Sequence, residues 1–372
     1  MGKTRLIAIY LPQYHPIPEN DEWWGRGFTE WTNVAKAKPL FRGHYQPKIP
    51  ADLGFYDLRL PEIREQQAKL AKEAGIEGFC YWHYWFGNGK RLLERPFSEV
   101  VISGKPDYPF CLGWANHSWS NKTWKTANSR FDKNTVLMEQ LYPGEEDYKN
   151  HFYTILDAFK DKRYIRVDGK LIFFIFNPDF PEVTSFIKSW RNLARDNGLN
   201  DFHFVAILSY SLRANESKKE DIDRIMRLGY DAVNTVGNIR AEKYVGKLKK
   251  YVHVLLSKVG INTVLRFKQT DINKYMLSDE DELEYVYPTV MPNWDRSPRC
   301  GTSCTIYTDS TPEVFEHHLK DAMEKIKDKA DEHKIIVIRS WNEWGEGNYV
   351  EPDLKYGHGY LNAIKNVLLI KD

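Results

Sequence analysis

Two glutamates near the C-terminus, Glu343 and Glu346, have the residue type and spacing that best fit chemistry. They lie in the segment WNEWGEGNYVEPD, which follows the apolar run 335–340. On a helical turn this spacing brings side chains about 5–6 Å apart, close to the ~5–5.5 Å between the two carboxyls of a retaining glycosidase. The neighbouring glycines, however, disfavour a regular helix at this position. Glycosidic bond chemistry requires one carboxyl that donates a proton and a second that stays anionic. The alternative is that both residues cap a helix or pair with Arg339.

Aromatic residues surround this pair and are abundant throughout the chain. The 372 residues include 12 Trp, 22 Tyr and 19 Phe, or 14% aromatic residues. Trp341 and Trp344 flank the two carboxyls, and an apolar neighbour can raise the pKa of one carboxyl while mutual repulsion separates the pair. Large cores use aromatic residues too, so the composition alone does not decide their role. Aromatic rings also stack on the C–H faces of sugars, and the aromatic surroundings of the pair favour a carbohydrate ligand over a purely structural role.

Eight short apolar runs, each followed by a segment with helical spacing, indicate the elements that position these residues. Nearly continuous apolar runs are typical of parallel strands covered by helices. We therefore predict the α/β class and a single (β/α)8 TIM barrel domain over residues 1–372, with extended βα loops, notably 12–58, 116–141 and 238–258. An open doubly wound sheet is the alternative, but no Gly-x-Gly-x-x-Gly motif follows the first run. The eight runs are 6–11, 78–84, 110–114, 171–176, 204–209, 232–236, 285–291 and 335–340.

The gaps between the runs contain predicted helices. Proline and glycine signals bound a helix from Pro61 to Gly75, and Thr311 followed by proline begins another. Further helices are predicted over 145–162, 183–197 and 360–370. The Lys-rich stretch 242–250 is interpreted as a solvated helix face, with a basic binding patch as the weaker alternative.

In such a barrel the functional residues lie at the carboxyl ends of the strands. Aromatic, amide and carboxylate side chains follow the predicted strands, and we expect them to stack on sugar rings or to bond sugar hydroxyls. The predicted substrate-binding residues are Tyr10, Gln13, Tyr14, Trp24, Glu30, Trp31, Trp82, His83, Tyr84, Trp114, Asn116, His117, Asn177, Tyr210, Trp294, Trp341, Asn342, Trp344 and Glu351.

Composition argues against several other classes of protein. Lys plus Arg number 53 against 51 Asp plus Glu, so no charge excess points to nucleic acid. No apolar run reaches the ~20 residues of a membrane helix, and no signal peptide is visible. We therefore expect no nucleic-acid partner, no integral membrane segment and a cytoplasmic location, although a leader lost from the chain would escape notice.

No cofactor or metal is expected. The histidines lack metal-ligand spacing, and Cys300 and Cys304 form a C-x3-C pair without a nearby His or Cys. Cys80 and Cys111 lie in apolar runs, as buried thiols do. Asp279 and Asp281 match the D-x-D of metal-dependent sugar transferases, but they lie in an acidic run that favours an exposed helix start.

Long motifs along nearly the whole chain resemble the WbsX-like family of bacterial polysaccharide-biosynthesis loci, which is similar to glycoside hydrolase family 99. The motifs are IAIYLPQYHPIPENDEWWGRGFTEWTNV, HYQP at 44–47, GIEGFCYWHYWF with GKRLLE, PFCLGWAN and WNEWGEGNYVEPD. The resemblance implies a (β/α)8 barrel that acts on glycans.

Family 99 enzymes are retaining endo-α-mannosidases, and the resemblance implies a role for each glutamate. Glu343 matches the residue that deprotonates the sugar 2-hydroxyl, which then attacks the anomeric carbon to give an epoxide-like intermediate. Glu346 matches the general acid that later acts as general base. Two residues depart from the pattern: Gly345 replaces a His between the carboxylates, and His117 stands where relatives usually carry Glu. The sequence therefore does not assign mannose as the substrate.

Three hypotheses follow for an oligosaccharide or polysaccharide substrate. The first is a retaining glycoside hydrolase or transglycosidase that uses the two glutamates. The second is a glycosyltransferase of O-antigen or capsule assembly, which would need a nucleotide pocket. The third is a barrel that binds a glycan without altering it.

Overall fold

The computed structural model describes residues 4–121, 135–209, 218–258 and 263–369. At its centre, eight parallel strands form a closed sheet, because the first strand pairs with both the second and the eighth. The predicted (β/α)8 barrel is confirmed, and the open-sheet alternative is wrong. In chain order around the barrel the strands are β1 (Arg5–Tyr10), β2 (Gly78–Trp85), β3 (Phe110–Trp114), β4 (Lys170–Ile175), β5 (Phe202–Ser209), β6 (Ala232–Val236), β7 (Val286–Val290) and β8 (Ile335–Ile338).

The barrel strands are buried on both faces. Every residue of β2, GFCYWHYW, is buried, as is every residue of β8, IIVI. Outer helices cover one face of each strand and the barrel interior covers the other, so both faces require apolar side chains. This is why continuous apolar runs located all eight strands to within two residues at each end.

Helices fill the connections, and local signals set their ends. Pro61 begins the third helix and Gly75, with φ 90°, ends it. The hydroxyl of Thr311 accepts a hydrogen bond from the amide of Val314 at the start of the twelfth helix. The predicted helix over 145–162 is two helices, because Ile155 leaves helical geometry with φ −117°.

The helices of the described residues are α1 (Pro18–Trp24), α2 (Glu30–Lys36), α3 (Pro61–Ala74), α4 (Arg95–Ser103), α5 (Glu145–Thr154), α6 (Leu156–Lys160), α7 (Val183–Asp196), α8 (Lys218–Met226), α9 (Asn238–Lys258), α10 (Gln269–Met276), α11 (Ser297–Cys300), α12 (Pro312–Ile326) and α13 (Gly359–Leu369). Short strands outside the barrel are Arg91–Leu92, Trp119–Ser120, Val136–Met138, Arg166–Val167, Leu265–Lys268, Thr305–Thr308, Asn342–Glu343 and Asn348–Tyr349. Across the described ranges, no helix is at once long and apolar enough to cross a bilayer.

The connection between β6 and β7 contains an insertion whose described residues are 238–258 and 263–276. Its segment 238–258 is the helix α9, kinked at Gly246, where a Cβ would overlap the ring of Phe267. The strand Leu265–Lys268 pairs with Thr305–Thr308, which follows β7. The insertion has a small core of its own, formed by Ala241, Phe267, Ile272, Met276, Met291, Trp294 and Tyr307. This core joins the insertion to the segment that follows β7.

His318, on α12, is a buried histidine whose removal should stabilise the protein. Neither ring nitrogen has a hydrogen-bond partner among the described residues, and burial lowers the pKa of the ring from 6.5 to about 4. The unfolded chain therefore binds the proton more tightly, and this site loses stability as the pH falls from 6.5 towards 4. We expect His318→Leu to raise the free energy of unfolding in urea by about 1 kcal/mol at pH 7.5, and by about 1 kcal/mol more at pH 5.5.

The neighbouring His317 is exposed and provides the control, since His317→Leu should show no such pH-dependent gain. An equal gain for His318→Leu at both pH values would contradict the expected protonation linkage.

Candidate active site

A cavity of about 450 Å³ lies at the carboxyl end of the barrel. Segments that follow the strands form its wall, as expected for this fold. Apolar, aromatic, polar and charged side chains all contribute to this wall. The lining residues are Leu11, Gln13, Trp24, Trp82, Tyr84, Ala115, His117, Trp119, Ser120, Leu137, Phe176, Ser209, Asn238, Ile239, Trp294, Arg296, Arg299, Arg339, Glu343 and Glu346.

Glu343 and Glu346 both line this cavity. The strands Asn342–Glu343 and Asn348–Tyr349 form an antiparallel pair, and a single 3-10 turn, Trp344–Glu346, connects them. Gly347 closes this hairpin with φ 54°, in the left-handed region. A tight turn rather than a regular helix therefore sets the three-residue spacing. Both side chains are largely buried, with 8% of Glu343 and 7% of Glu346 exposed.

Arg299, on α11, bridges the two carboxylates. Its Nη1 atom lies 2.8 Å from Oε1 of Glu346 and 3.4 Å from Oε1 of Glu343. The distance between Oε1 of Glu343 and Oε1 of Glu346 is therefore no greater than the sum of these two distances. Such a separation fits the ~5–5.5 Å of retaining carboxyl pairs better than the ~6.5–9.5 Å of inverting pairs.

Glu30, at the start of α2, adds a third carboxylate behind the pair. Its side chain is fully buried, and Oε1 accepts from Nε of Arg299 at 2.9 Å and contacts Nη2 at 2.8 Å. A Cβ at residue 345 would overlap this same oxygen. Gly345 therefore leaves the space that the Glu30 carboxylate occupies, which is a physical reason for the departure from the His of family 99.

The pKa values of the two cavity glutamates shift in opposite directions. Burial and the charge of Glu346 raise the pKa of Glu343. The charge of Arg299 lowers this pKa and offsets only part of the increase. Burial also disfavours the anion of Glu346, but the charges of Arg296, Arg299 and Arg339 outweigh burial and lower its pKa. Glu343 is thus the weaker acid of the pair and Glu346 the stronger. The pKa of Glu30 is raised to about 7, mainly by burial.

Six of the predicted substrate-binding residues line the cavity, together with the two glutamates. Trp82 and Tyr84 project from β2, and the ring of Trp82 meets Phe176 edge-on at 5.7 Å. His117 packs against the same phenylalanine at 4.9 Å. The cavity-lining residues of the predicted set are Gln13, Trp24, Trp82, Tyr84, His117 and Trp294.

Most of the other predicted residues lie behind the cavity wall, where they hold the loops. Asn342 clamps the end of β1, since its amide accepts from the Leu11 amide at 2.8 Å and donates to the Leu11 carbonyl at 3.0 Å. Asn116 bonds both backbone groups of Asn177 in the same way. The predicted residues outside the cavity wall are Tyr10, Tyr14, Glu30, Trp31, His83, Trp114, Asn116, Asn177, Trp341, Asn342, Trp344 and Glu351. Tyr210 lies outside the described residues.

Glu351 is the centre of a buried polar cluster beneath the hairpin. Its carboxylate accepts from Trp344 Nε1 at 2.6 Å, Gln67 Nε2 at 2.7 Å and the Tyr56 hydroxyl at 2.9 Å. Burial raises the pKa of Glu351 to about 7. Because Glu351 accepts the hydrogen bond of the Trp344 ring and does not line the cavity, it supports the 3-10 turn rather than contacting a ligand there.

Two arginines of the cavity wall, Arg296 and Arg299, were not found from the sequence, and Arg339 was named only as an alternative ion-pair partner of the two glutamates. Arg296 and Arg299 follow β7, and Arg339 follows β8, so all three occupy the strand-end positions where function was expected. A cation beside two acidic residues was the available signal, since a buried carboxylate pair needs nearby positive charge. Arg296 Nε lies 3.1 Å from Oε1 of Glu346, which therefore contacts two guanidinium groups.

The fold and this cavity define a (β/α)8 barrel protein with a paired-carboxylate site. Residues 6–364 match the family described as "Glycosyltransferase WbsX", and the chain belongs to that family. The family resemblance drawn from the sequence motifs is confirmed.

Two relatives from Xanthomonas campestris pv. campestris, both named WxcX, are similar along nearly the whole chain. They are 35% identical over 368 and 366 residues, which is 98% of this chain in each case. The matched region is 49% of each relative, so the chain spans about half the length of the curated relatives it matches.

Solved structures share the fold at low sequence identity. A protein described as glycoside hydrolase-like has a TM-score of 0.62 at 15% identity, over 100% of this chain and 95% of that one. The family 99 endo-α-mannosidase of Bacteroides thetaiotaomicron has a TM-score of 0.58 at 15% identity, over 98% of this chain and 96% of that one. These similarities establish the barrel architecture.

Proposed function

We propose that this protein cleaves or transfers a glycosidic bond in an oligosaccharide or polysaccharide with retention of configuration, using Glu343 and Glu346. The main observation in support is that both carboxyls contact one guanidinium, Arg299, and face one cavity with aromatic walls. Trp24, Trp82 and Trp294 offer rings on which a sugar can stack. A cavity of about 450 Å³ has the size of a site for one or two sugar rings.

The opposite pKa shifts of Glu343 and Glu346 indicate which of two chemical roles suits each carboxyl group. A carboxyl that keeps its proton can give it to the leaving oxygen, and a carboxylate that stays anionic can stabilise or attack the anomeric carbon. The free protein favours Glu343 for the first role and Glu346 for the second. This division is the reverse of the one implied by the resemblance to family 99.

A second candidate function is transfer from a phosphorylated sugar donor, which the family description and one observation favour. Arg339 lines the cavity, and its Nε has no hydrogen-bond partner among the described residues. Arginine is well suited to phosphate oxygens because it offers several donors in a fixed plane. A donor diphosphate beside Arg339 would supply the missing acceptors.

The test is to incubate the protein with a panel of oligosaccharides and polysaccharides and to analyse the products by mass spectrometry and NMR. We expect new reducing ends or elongated chains that keep the anomeric configuration of the cleaved bond. Calorimetry with UDP-, GDP- and dTDP-sugars tests the second candidate, which predicts binding that Arg339→Gln abolishes. A glycan that binds but is never altered would contradict both and favour a binding barrel.

A further inference from the structure

The helix α9 carries positive charge that the proposed chemistry does not use. Its 21 residues contain one arginine, five lysines and a single acidic residue, Glu242. Glu242 is buried and accepts a hydrogen bond from the Tyr307 hydroxyl at 2.8 Å. Lys243, Lys247 and Lys249 are exposed. The solvent-facing surface of α9 is therefore basic.

Large apolar and aromatic side chains are exposed on the same helix. The exposed fraction is 67% for Tyr244, 63% for Tyr251, and 44% each for Val252 and Leu255. Tyr275, on α10, stacks on Tyr244 at 5.5 Å and is itself 44% exposed. Single exposed apolar residues are ordinary, but several together on one element mark an interaction surface.

A groove beside α9 continues this surface. It has a volume of about 510 Å³, and Lys249, Arg266 and Lys268 contribute cations to its wall. Val252, Leu265 and Phe267 contribute apolar groups. Within the ranges that the structure describes, no aspartate or glutamate lines it. The groove is thus lined by both apolar and cationic side chains.

We propose that α9 docks on an anionic phospholipid surface and lies in the plane of the headgroups. Helices of this kind insert apolar side chains at the headgroup boundary while lysines on the flanks pair with anionic lipid. The lysines alone would suit any polyanion. The exposed tyrosines and aliphatic side chains favour a lipid surface over an acidic polymer, because a bilayer removes them from water and a hydrated acidic polymer does not.

This surface is structurally connected to the catalytic cavity. Asn238 and Ile239, at the start of α9, line that cavity. Trp294 lines it too and belongs to the core of the insertion. Docking would therefore hold the mouth of the cavity beside the membrane surface, so this inference extends the proposed function without depending on it.

The test is co-sedimentation of the purified chain with sucrose-loaded vesicles at 0.1 M salt. Vesicles of phosphatidylglycerol and phosphatidylcholine in equal parts are compared with pure phosphatidylcholine. We expect binding to the anionic vesicles only. The triple variant Lys243→Glu, Lys247→Glu and Lys249→Glu should bind about 100-fold more weakly. The variant Val252→Ser with Leu255→Ser should bind about 10-fold more weakly.

A matched control reverses three exposed lysines on outer helices, Lys72→Glu, Lys188→Glu and Lys365→Glu, and should bind like the unmodified chain. Unchanged melting temperatures verify that the variants are folded. Equal sedimentation with neutral vesicles would overturn the proposal. Full binding by the Val252→Ser and Leu255→Ser variant, with loss only in the lysine variant, would also overturn it and indicate a polyanion such as an acidic glycan.

Discussion

Glu343→Gln and Glu346→Gln should each lower kcat on a natural glycan by roughly 10²–10⁴-fold. Each substitution keeps the shape of the side chain and removes one of the two carboxyl groups that face the cavity. If Glu343 is the proton donor, Glu343→Gln should retain far more activity on a glycosyl fluoride, whose leaving group needs no proton. Glu346→Gln should lose activity on both substrates, because it removes the anion beside the anomeric carbon.

The pH profile provides a second readout of the same pair. In the unmodified protein, activity should fall at high pH as Glu343, whose pKa is raised, loses its proton. Activity should also fall at low pH as Glu346, whose pKa is lowered, gains a proton. Each variant should lack one limb of this profile. Glu62→Gln, an exposed change on α3, is the control and should leave the profile intact. Full turnover by either cavity variant would contradict the proposal, and selective fluoride activity in Glu346→Gln would favour the roles of family 99.

The barrel strands were predictable because every position of such a strand is buried and therefore requires an apolar side chain. A parallel strand covered on both sides produces an unbroken apolar run, as in the segment IIVI of β8. The end of each run then marks the carboxyl end of a strand, which is where a barrel carries its function. This argument selected Glu343, Glu346, Trp82, Tyr84 and Trp294, but it did not select the cavity aromatics Trp119 and Phe176.

Which strand-end side chains face the cavity was not predictable, because neighbouring residues point in opposite directions. In β2, Trp82 and Tyr84 line the cavity, while His83 between them turns away to contact His151 at 2.8 Å. Trp294 lines the cavity too, while the next residue, Asp295, accepts from Gln46 at 2.7 Å. The sequence therefore shows where a strand ends, but it does not show which of the alternating side chains point towards the cavity.

The charge balance of the site depends on contacts between distant parts of the chain. Arg299 lies 44 residues before Glu343 and reaches it because β7 and β8 are neighbours in the barrel. Glu30 lies 269 residues before Arg299 and follows β1, the other neighbour of β8. Closure of the sheet brings these groups together, so no local motif reveals that three carboxylates share one guanidinium.

Arg299→Met should destabilise the protein by about 3–5 kcal/mol, the usual cost of leaving buried charges without their partner. Glu30, Glu343 and Glu346 all contact the lost guanidinium. Without it, their pKa values should rise, so the folded variant binds more protons than the unfolded chain. Stability should then increase as the pH falls through these raised values, and urea denaturation should give a larger deficit at pH 8 than at pH 5.5.

A double variant separates this electrostatic effect from a loss of packing. Adding Glu30→Gln to Arg299→Met removes the carboxylate that is most deeply buried, so it should restore part of the lost stability and reduce the pH dependence. Arg296→Met is the matched control, because Arg296 contacts only one of the three carboxylates, Glu346, and its side chain is 36% exposed. It should cost about 1 kcal/mol or less. A deficit in Arg299→Met that is equal at both pH values, and that Glu30→Gln does not reduce, would mean that Arg299 fills space rather than balancing charge.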